Sequence, residues 1–190
     1  MAYRAAILTV SDRAARGQRE DRAGPAVQQR LEEHGWEVVR LKVVPDDFDE
    51  IYTTLLTWAD LELAHVVFTV GGTGFGPRDI TPEVTRKVIQ REAPGLAEAM
   101  RQASLAKTPY AMLSRSVAGI RGRVLILNLP GSPKAAVENL DVVLPVLPHA
   151  VQLLWNEPEA HHLHQRMQQE PESPDAPSSE DASSIPSPEA

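Results

Sequence analysis

A glycine-rich segment in the middle of the chain is the sequence feature best suited to bind phosphate groups. Residues 71–76 read GGTGFG, with four glycines in six positions, and Arg78 and Asp79 follow closely. Glycine allows positive φ angles and close approach to a ligand, so that successive N–H groups can surround an anion. The segment predicts a phosphate-binding loop; the alternative is a tight turn that only joins two elements. The expected contacts are made by Gly71, Gly72, Thr73 and Gly74.

The glycine-rich segment does not match either of two common nucleotide-binding patterns. A P-loop needs lysine and then serine or threonine after its last glycine, and here Pro77 and Arg78 follow Gly76. A dinucleotide fingerprint would need a glycine where Pro77 stands. A phosphate site of another kind is therefore expected.

Two aspartates are the candidate catalytic and metal-binding residues. Asp46 follows an apolar run that ends at Val44, and Asp79 follows the glycine-rich segment. Carboxylates together with substrate phosphate oxygens are ligands that Mg²⁺ prefers, so the pair predicts a Mg²⁺ site. Taken singly, Asp46 could be only a turn residue, and Asp79 could support a helix start or pair with Arg78.

Three further polar segments are candidates for binding a substrate or nucleotide. Ser11 and Asp12 follow an apolar run directly, and Gly131 and Ser132 lie between another apolar run and a helix start. Ser132 could instead be a simple helix cap, although a helix N-terminus also suits an anion. Ser114 and Arg115 precede the last apolar run, where Arg115 could hold a phosphate or remain an ordinary surface arginine.

Alternating strands and helices must position these residues. Apolar runs predict strands at 5–10, 36–44, 65–70 and 124–129, separated by segments with helical periodicity. Thr81 is expected to cap a helix that continues to about Glu92. Continuous apolar strands alternating with helices predict an α/β fold, a mostly parallel sheet covered by helices on both faces. In such a sheet the candidate loops after the strands meet at the carboxyl ends of the strands.

Composition separates a folded part from a tail. The chain has 190 residues and a net charge of −7, but six acidic residues lie in 167–190 without any lysine or arginine there, and 20 acidic residues against 19 basic ones remain elsewhere. We expect a domain over 1–160 and an acidic, Ser/Pro-rich, disordered tail over 161–190. Residues 165–190 of this tail are expected to be dispensable for folding and catalysis. The nearby histidines, His161, His162 and His164, are interpreted as a solvated segment instead of a metal site.

The same composition excludes several classes of protein and site. The chain has no cysteine, which excludes disulfides, a cysteine nucleophile and thiolate zinc sites within it. A near-neutral folded part does not favour nucleic acid or an anionic membrane as partner. Neither a signal peptide nor an apolar run of membrane-spanning length is found, so a cytoplasmic location is expected.

Taken together, the motifs resemble the MogA/MoaB-type molybdopterin-binding family over about residues 4 to 155. The segments that carry the resemblance are TVSD at 9–12, PDD at 45–47, GGTGFGPRDITPEVT at 71–85, AMLSRSVAGIRG at 111–122 and LNLPGSPKA at 127–135. The resemblance implies a three-layer α/β/α domain, usually a homotrimer, that transfers the adenylyl group of ATP to molybdopterin with Mg²⁺. Asp46 and Asp79 match the functional aspartates of the family. The chain is too short to include the larger molybdenum-insertion module fused to this domain in plants and animals, so a separate insertion protein is an expected downstream partner.

Two other functions remain open at the level of sequence. One is a MoaB-type paralogue that binds pterin or nucleotide with little transfer activity. The other is a trimeric scaffold module whose acidic tail recruits partners.

Overall fold

The apolar runs of the sequence form the strands of one mixed sheet. The computed structural model describes residues 2–156. The proposed boundary near residue 160, the acidic tail and the three neighbouring histidines lie outside the described residues. The strands are β1 (Arg4–Val10), β2 (Glu37–Val44), β3 (Val66–Val70), β4 (Arg91–Glu92), β5 (Ala118–Arg121) and β6 (Val124–Leu129). The helices are α1 (Asp12–Ala15), α2 (Ala23–Glu33), α3 (Phe48–Asp60), α4 (Thr81–Val88), α5 (Pro94–Leu105), α6 (Pro133–Val143) and α7 (Leu147–Leu154), with a 3₁₀ turn at Pro109–Leu113.

The strand order is β2-β1-β3-β6-β5-β4. The first four strands in this order run parallel, whereas β5 is antiparallel to β6 and β4 is antiparallel to β5. Because four strands are parallel, their carboxyl ends lie on the same side of the sheet. The loops after β1, β2, β3 and β6 therefore converge, as the sequence predicts.

Both faces of the sheet are buried, which explains why β1, β3 and β6 lack polar alternation. Along β1, Ala5 and Ile7 belong to the core on one face, and Ala6 and Leu8 belong to the core on the other. Helices α2, α5, α6 and α7 contribute to the first core, and α3 and α4 contribute to the second. The structure is thus the three-layer α/β/α arrangement that the sequence predicts.

The region after the glycine-rich loop differs from the sequence prediction. Helix α4 ends at Val88 instead of about Glu92, because the next residues leave the helix and pair with β5. The N–H of Gln90 donates to the carbonyl of Ile120 (2.8 Å), and Arg91 and Glu92 form β4. A two-residue charged strand has no apolar pattern, so only this long-range pairing determines it.

Within residues 2–156, every helix is too short or too polar to traverse a lipid bilayer. The segment around Pro145 contributes both core and surface residues. Leu144 and Leu147 are buried in the core, whereas Val146 is half exposed.

Candidate active site

Two aspartates join the ends of β1 and β2 through reciprocal hydrogen bonds. The backbone N–H of Asp12 donates to Asp46 Oδ2 (2.8 Å), and the backbone N–H of Asp46 donates to Asp12 Oδ1 (3.3 Å). Arg78, from the loop after β3, donates to both carboxylate oxygens of Asp12 (2.6 and 3.0 Å) and to the carbonyl of Asp46 (2.7 Å). Three loops that are far apart in sequence are thereby held together.

The environments of the two aspartates change their pKa values in opposite directions. The hydrogen bonds from Arg78 lower the pKa of the Asp12 carboxyl, because they stabilise its charged form. Burial raises the pKa of the Asp46 carboxyl, and the negative charges of Asp12 and Asp79 add to that effect. Asp46 therefore lies where a further cation would be electrostatically favourable.

The start of the glycine-rich loop requires glycine at two consecutive positions. Gly71 and Gly72 both have positive φ, +105° and +64°, which other residues rarely adopt. A side chain at Gly71 would overlap the carbonyl of Val10, and one at Gly72 would overlap the hydroxyl of Thr81. The chain can thus cross closely over the ends of β1 and α4 only because these side chains are absent.

Thr81 does not cap helix α4 as expected, because the helix begins at Thr81 itself with Ile80 in the cap position. Its backbone N–H donates to the carbonyl of Gly72 (3.1 Å) and ties the loop to the helix. Its hydroxyl is fully buried without a hydrogen-bond partner. The short polar side chain faces Gly72 instead of the free N–H groups of the first helical turn, which explains the wrong prediction.

Arg115 holds the later part of the glycine-rich loop, from Thr73 onwards, through hydrogen bonds to backbone carbonyls. Its guanidinium donates to the carbonyl of Gly74 (2.7 Å), to the carbonyl of Asp79 and to the carboxylate of Glu83. Its backbone N–H also donates to the carbonyl of Thr73 (3.0 Å). The sequence predicts that the guanidinium of Arg115 could hold a phosphate. In this structure the same group is used in hydrogen bonds to the loop and to Glu83.

Asp79 lies within the curve of the same loop. One of its carboxylate oxygens, Oδ2, accepts the backbone N–H of Gly76 (2.8 Å). The Cα atoms of Gly74 and Gly76 are so close to this oxygen that a side chain at either would crowd it. The loop therefore holds a carboxylate beside backbone N–H groups, at the place where phosphates are expected.

A polar cleft of about 420 Å³ opens at the carboxyl ends of the parallel strands. Its walls include the starts of helices α2 and α6, which are the positive ends of the helix dipoles. Ser132 occupies the cap position of α6 but makes no side-chain capping bond. The predicted site residues in this cleft are Ser11, Asp46, Gly71, Gly72, Asp79, Gly131 and Ser132.

A second cleft of about 460 Å³ lies on the other side of the glycine-rich loop. Its lining is richer in apolar groups and includes Tyr110 and Leu113 of the 3₁₀ turn. The predicted site residues in this cleft are Gly72, Thr73, Gly74, Asp79, Ser114 and Gly131. The two clefts therefore share Gly72, Asp79 and Gly131, and ligands in each would meet there.

Ten of the twelve predicted site residues line these clefts. The other two, Asp12 and Arg115, are not part of the lining and make hydrogen bonds that hold the loops. Sequence reasoning missed several lining residues, namely Thr9, Arg19, Glu20, Asp21, Arg22, Arg101, Lys107 and Asn139. Asp21 gave a usable signal, since an acid three residues before Gly24 in the helix start is typical of a capping residue. The others lack such a pattern, because they lie on strands, loops and helices that meet at the clefts only in the folded chain.

No group of three or more acidic or histidine side chains within residues 2–156 is arranged to hold a metal ion. Asp46 and Asp79 nevertheless line the same cleft and repel each other electrostatically. Such a pair fits Mg²⁺, which commonly takes one or two carboxylates and completes its shell with substrate phosphates and water.

Comparisons with known proteins agree with this geometry. The family described as "Probable molybdopterin binding domain" matches residues 6–149. Molybdopterin adenylyltransferase from Helicobacter pylori strain J99 is 44% identical over 150 residues, which are 78% of this chain and 85% of that protein. Gephyrin from Dictyostelium discoideum is 42% identical over 164 residues, or 81% of this chain. The chain spans only about a quarter of gephyrin, since the match covers 23% of that protein.

Solved structures share the fold as well as the sequence. The molybdopterin biosynthesis enzyme MoaB from Thermus thermophilus superposes with a TM-score of 0.77 at 53% identity, covering 82% of this chain and 98% of that one. A MogA structure matches with a TM-score of 0.75 at 42% identity, covering 80% and 99%. With its sheet order, its glycine-rich loop and these likenesses, the chain belongs to the molybdopterin-binding family of molybdenum cofactor biosynthesis, together with the MogA and MoaB proteins.

Proposed function

We propose that the chain is a molybdopterin adenylyltransferase, which converts ATP and molybdopterin into adenylyl-molybdopterin and pyrophosphate. The observation that carries this proposal is the pair of clefts that meet at Gly72, Asp79 and Gly131. Two substrates bound on either side of the glycine-rich loop would bring their phosphates together at this shared boundary. Relatives of similar length, at 44 and 45% identity, bear the name of this activity.

The reaction needs no nucleophile from the protein. A terminal phosphate oxygen of molybdopterin attacks the α-phosphorus of ATP, and a new P–O bond forms while the bond to pyrophosphate breaks. The protein has to align two polyanions and stabilise the charge that moves to the leaving group. The absence of cysteine from the chain is compatible with this chemistry.

Each part of the site has a distinct task in this proposal. The backbone N–H groups of the glycine-rich loop and the open start of α6 at Ser132 bind phosphate oxygens. Asp46 and Asp79 hold Mg²⁺, which neutralises phosphate charge when bound. Arg78 and Arg115 keep the loops in place through the hydrogen bonds described above and position the groups that touch substrate.

Turnover with purified components tests the proposal. Protein, ATP, Mg²⁺ and molybdopterin should release pyrophosphate and form adenylyl-molybdopterin, and omission of molybdopterin should abolish the release. A MoaB-type pterin-binding protein with little transfer is the second candidate, because the MoaB structure shares 53% of the sequence. Tight binding of both substrates without product would favour that second candidate.

We further propose that the chain works as a homotrimer in the cytoplasm and that its product is used downstream by a molybdenum-insertion protein. The half-exposed side chain of Val146, beside the core residues Leu144 and Leu147, is available for contact between copies. Light scattering should give about three times the mass of one chain at micromolar concentration. A constant monomer mass would contradict the trimer without affecting the proposed reaction.

A further inference from the structure

Three exposed cations lie at the β4 margin of the sheet. Arg86 and Lys87 belong to the last turn of α4, and Arg91 is the first residue of β4. None of them lines either of the two large clefts. Within residues 2–156, Lys87 and Arg91 form no ion pair, and Arg86 reaches only the exposed carboxylate of Glu92, at 4.0 Å. These three residues, the β4 patch, therefore carry positive charge that is compensated only in part.

Other exposed cations without an ion pair in the described part of the chain lie at different places on the fold. They are Arg13, Arg19, Lys134, Arg40 and Lys42. The first three are at the end of the sheet where the clefts open, and the last two are on β2, at the opposite margin. There, Lys42 already donates to the hydroxyl of Thr54 (3.0 Å). The negative end of the α4 dipole favours basic residues in its last turn, but it does not account for Arg91.

The described chain ends in the neighbourhood of the β4 patch. Trp155, the residue before the last described one, packs over the guanidinium of Arg123 (4.0 Å). Arg123 follows the turn between β5 and β6, where the backbone N–H of Gly122 donates to Gln90 Oε1 (3.0 Å). Gln90 in turn precedes Arg91 of the patch. The chain beyond residue 156 therefore starts beside the turn that contacts the patch.

The sequence beyond this point carries the opposite charge. Residues 170–181 contain five acidic residues and neither lysine nor arginine. The spacer 157–169 joins them to the described chain, and an extended spacer of this length reaches up to about 45 Å. Strand β4 is two strands away from β6, or about 10 Å at the usual spacing of neighbouring strands. The acidic segment can therefore reach the β4 patch with length to spare.

We infer that the β4 patch is the docking surface of the acidic segment 170–181 of the same chain. The carboxylates pair with Arg86, Lys87 and Arg91. Such exposed ion pairs are individually weak, but attachment to the same chain keeps the segment at an effective concentration of roughly a millimolar. The docked segment lies alongside β4, the last strand of the sheet, and shields its open backbone edge from other chains. Because the patch lies outside both clefts, this docking is independent of the proposed reaction.

Paramagnetic broadening of amide signals measures where the acidic segment lies. The chain has no cysteine, so Ser179→Cys gives a single attachment point for a nitroxide label within the segment. In the full chain at low ionic strength, we expect the label to reduce the amide signals of residues 86–92 to roughly half their intensity or less. At about 0.5 M salt, charges are screened within about 4 Å, and the signals should recover.

Two sets of substitutions test the charges on each side. Lys87→Gln together with Arg91→Gln removes the two unpaired cations of the patch and should abolish the broadening. Amide substitution of the five acidic residues in 170–181 should do the same. Arg13→Gln together with Arg40→Gln is the matched control, because it removes two exposed cations that form no ion pair with the described residues, and it should keep the broadening. Thermal unfolding should show that both double variants in the described chain remain folded.

Several results would overturn the docking. One is broadening that persists at high salt or in the Lys87→Gln, Arg91→Gln variant, and another is the absence of broadening at residues 86–92 in the labelled wild-type background. Broadening around Ser132 instead would place the acidic segment at the polar cleft. A mixture of labelled chains with unlabelled, ¹⁵N-enriched chains should show no broadening at the patch. Broadening there as strong as in the singly prepared sample would assign the patch to the segment of a second copy.

Discussion

At the scale of single residues, the site places several carboxylates where anionic substrates are expected. Asp12 is compensated by Arg78, whereas the burial of Asp46 and its negative neighbours raise the pKa of its carboxyl. Asp79 contacts the backbone of the loop through the N–H of Gly76. An uncompensated carboxylate beside phosphates would oppose binding, so the proposed function requires a cation that would offset the charges of Asp46 and Asp79.

The substitution Asp79→Asn tests this explanation. It removes the charge and keeps an oxygen that can accept the N–H of Gly76, so the loop should retain its shape. We expect single-turnover adenylyl transfer to fall by roughly a hundredfold or more, as for the loss of one electrostatic contributor to catalysis. Molybdopterin binding should change much less, because the glycine-rich loop and the start of α6 remain.

The appropriate control is Asp49→Asn, which removes a negative charge from an exposed position outside both clefts. Thermal unfolding on the same preparations separates catalysis from folding. If Asp79 only supports the turn, its variant will unfold at lower temperature yet transfer normally per folded molecule. Near-normal transfer by a well-folded Asp79→Asn protein would remove Asp79 from the catalytic residues.

At the scale of elements, a buried asparagine connects the layers behind the site. Asn128 of β6 donates to the hydroxyls of Thr69 in β3 and Thr85 in α4, both at 2.8 Å, and its carbonyl oxygen accepts the N–H of Val117 (3.1 Å). Asn128, Thr69 and Thr85 are fully buried, and Val117 is nearly so. The network fixes α4, and with it the Thr81 end that meets the glycine-rich loop.

Asn128→Ala should therefore be strongly destabilising. It leaves two hydroxyls and one backbone N–H without partners and opens a cavity, so we expect the free energy of unfolding to fall by about 2–4 kcal/mol. Denaturant titration measures this loss. Asn139→Ala, which removes two hydrogen bonds of a buried side chain, should cost about 1 kcal/mol. Equal losses in the two variants would show that the Asn128 network contributes no more to the free energy of unfolding than the hydrogen bonds of Asn139.

The sequence predicts the elements that have a local apolar pattern. It does not predict those whose conformation depends on pairing with strands distant in the chain. The apolar runs of β1, β3 and β6 identify their strands to within a residue or so, and with them the loops at their carboxyl ends. Strand β5, Ala118–Arg121, contains a glycine and only one large apolar residue, so its pairing with β6 leaves little trace in the sequence. The hydroxyl of Thr81 follows the usual capping pattern, yet the fold turns it towards Gly72. Such choices depend on neighbours distant in sequence.

At the scale of the whole molecule, the amino ends of the strands hold a second buried polar group. Before β3, His65 is 1% exposed, and its Nδ1 accepts the backbone N–H of Arg4 (2.8 Å). Trp155, directly after α7, packs edge-on against this ring (4.8 Å), and Arg123 lies over Trp155 (4.0 Å). The last helix of the described chain is thus attached through a histidine that must stay neutral to accept its hydrogen bond.

This arrangement predicts acid sensitivity. Burial lowers the pKa of His65 below its ordinary value, and the positive charge of Arg4 adds to the effect. The unfolded chain then binds a proton more readily than the folded one, so the stability from neutral His65 is fully present above about pH 6.5 and is lost as pH falls below it. We expect the melting temperature to decline between pH 7.5 and 5.5.

Substituting the histidine identifies the source of this decline. His65→Asn keeps an acceptor near the position of Nδ1 but does not titrate, so its melting temperature should be lower at pH 7.5 and less dependent on pH. His34→Asn, at an exposed position, should decline as the wild type does. An unchanged slope in His65→Asn would assign the acid sensitivity to other groups.

The two outermost strands of the sheet have a consequence for how copies of the chain can associate. At one margin, β4 has only two residues, both charged, and at the other, β2 carries Glu37, Arg40 and Lys42 along its length. Short or charged marginal strands discourage another chain from adding to the sheet through backbone hydrogen bonds. Growth into a continuous intermolecular sheet is therefore disfavoured at both sides. Any closed assembly must form through helix and loop surfaces, where side-chain complementarity limits the number of copies.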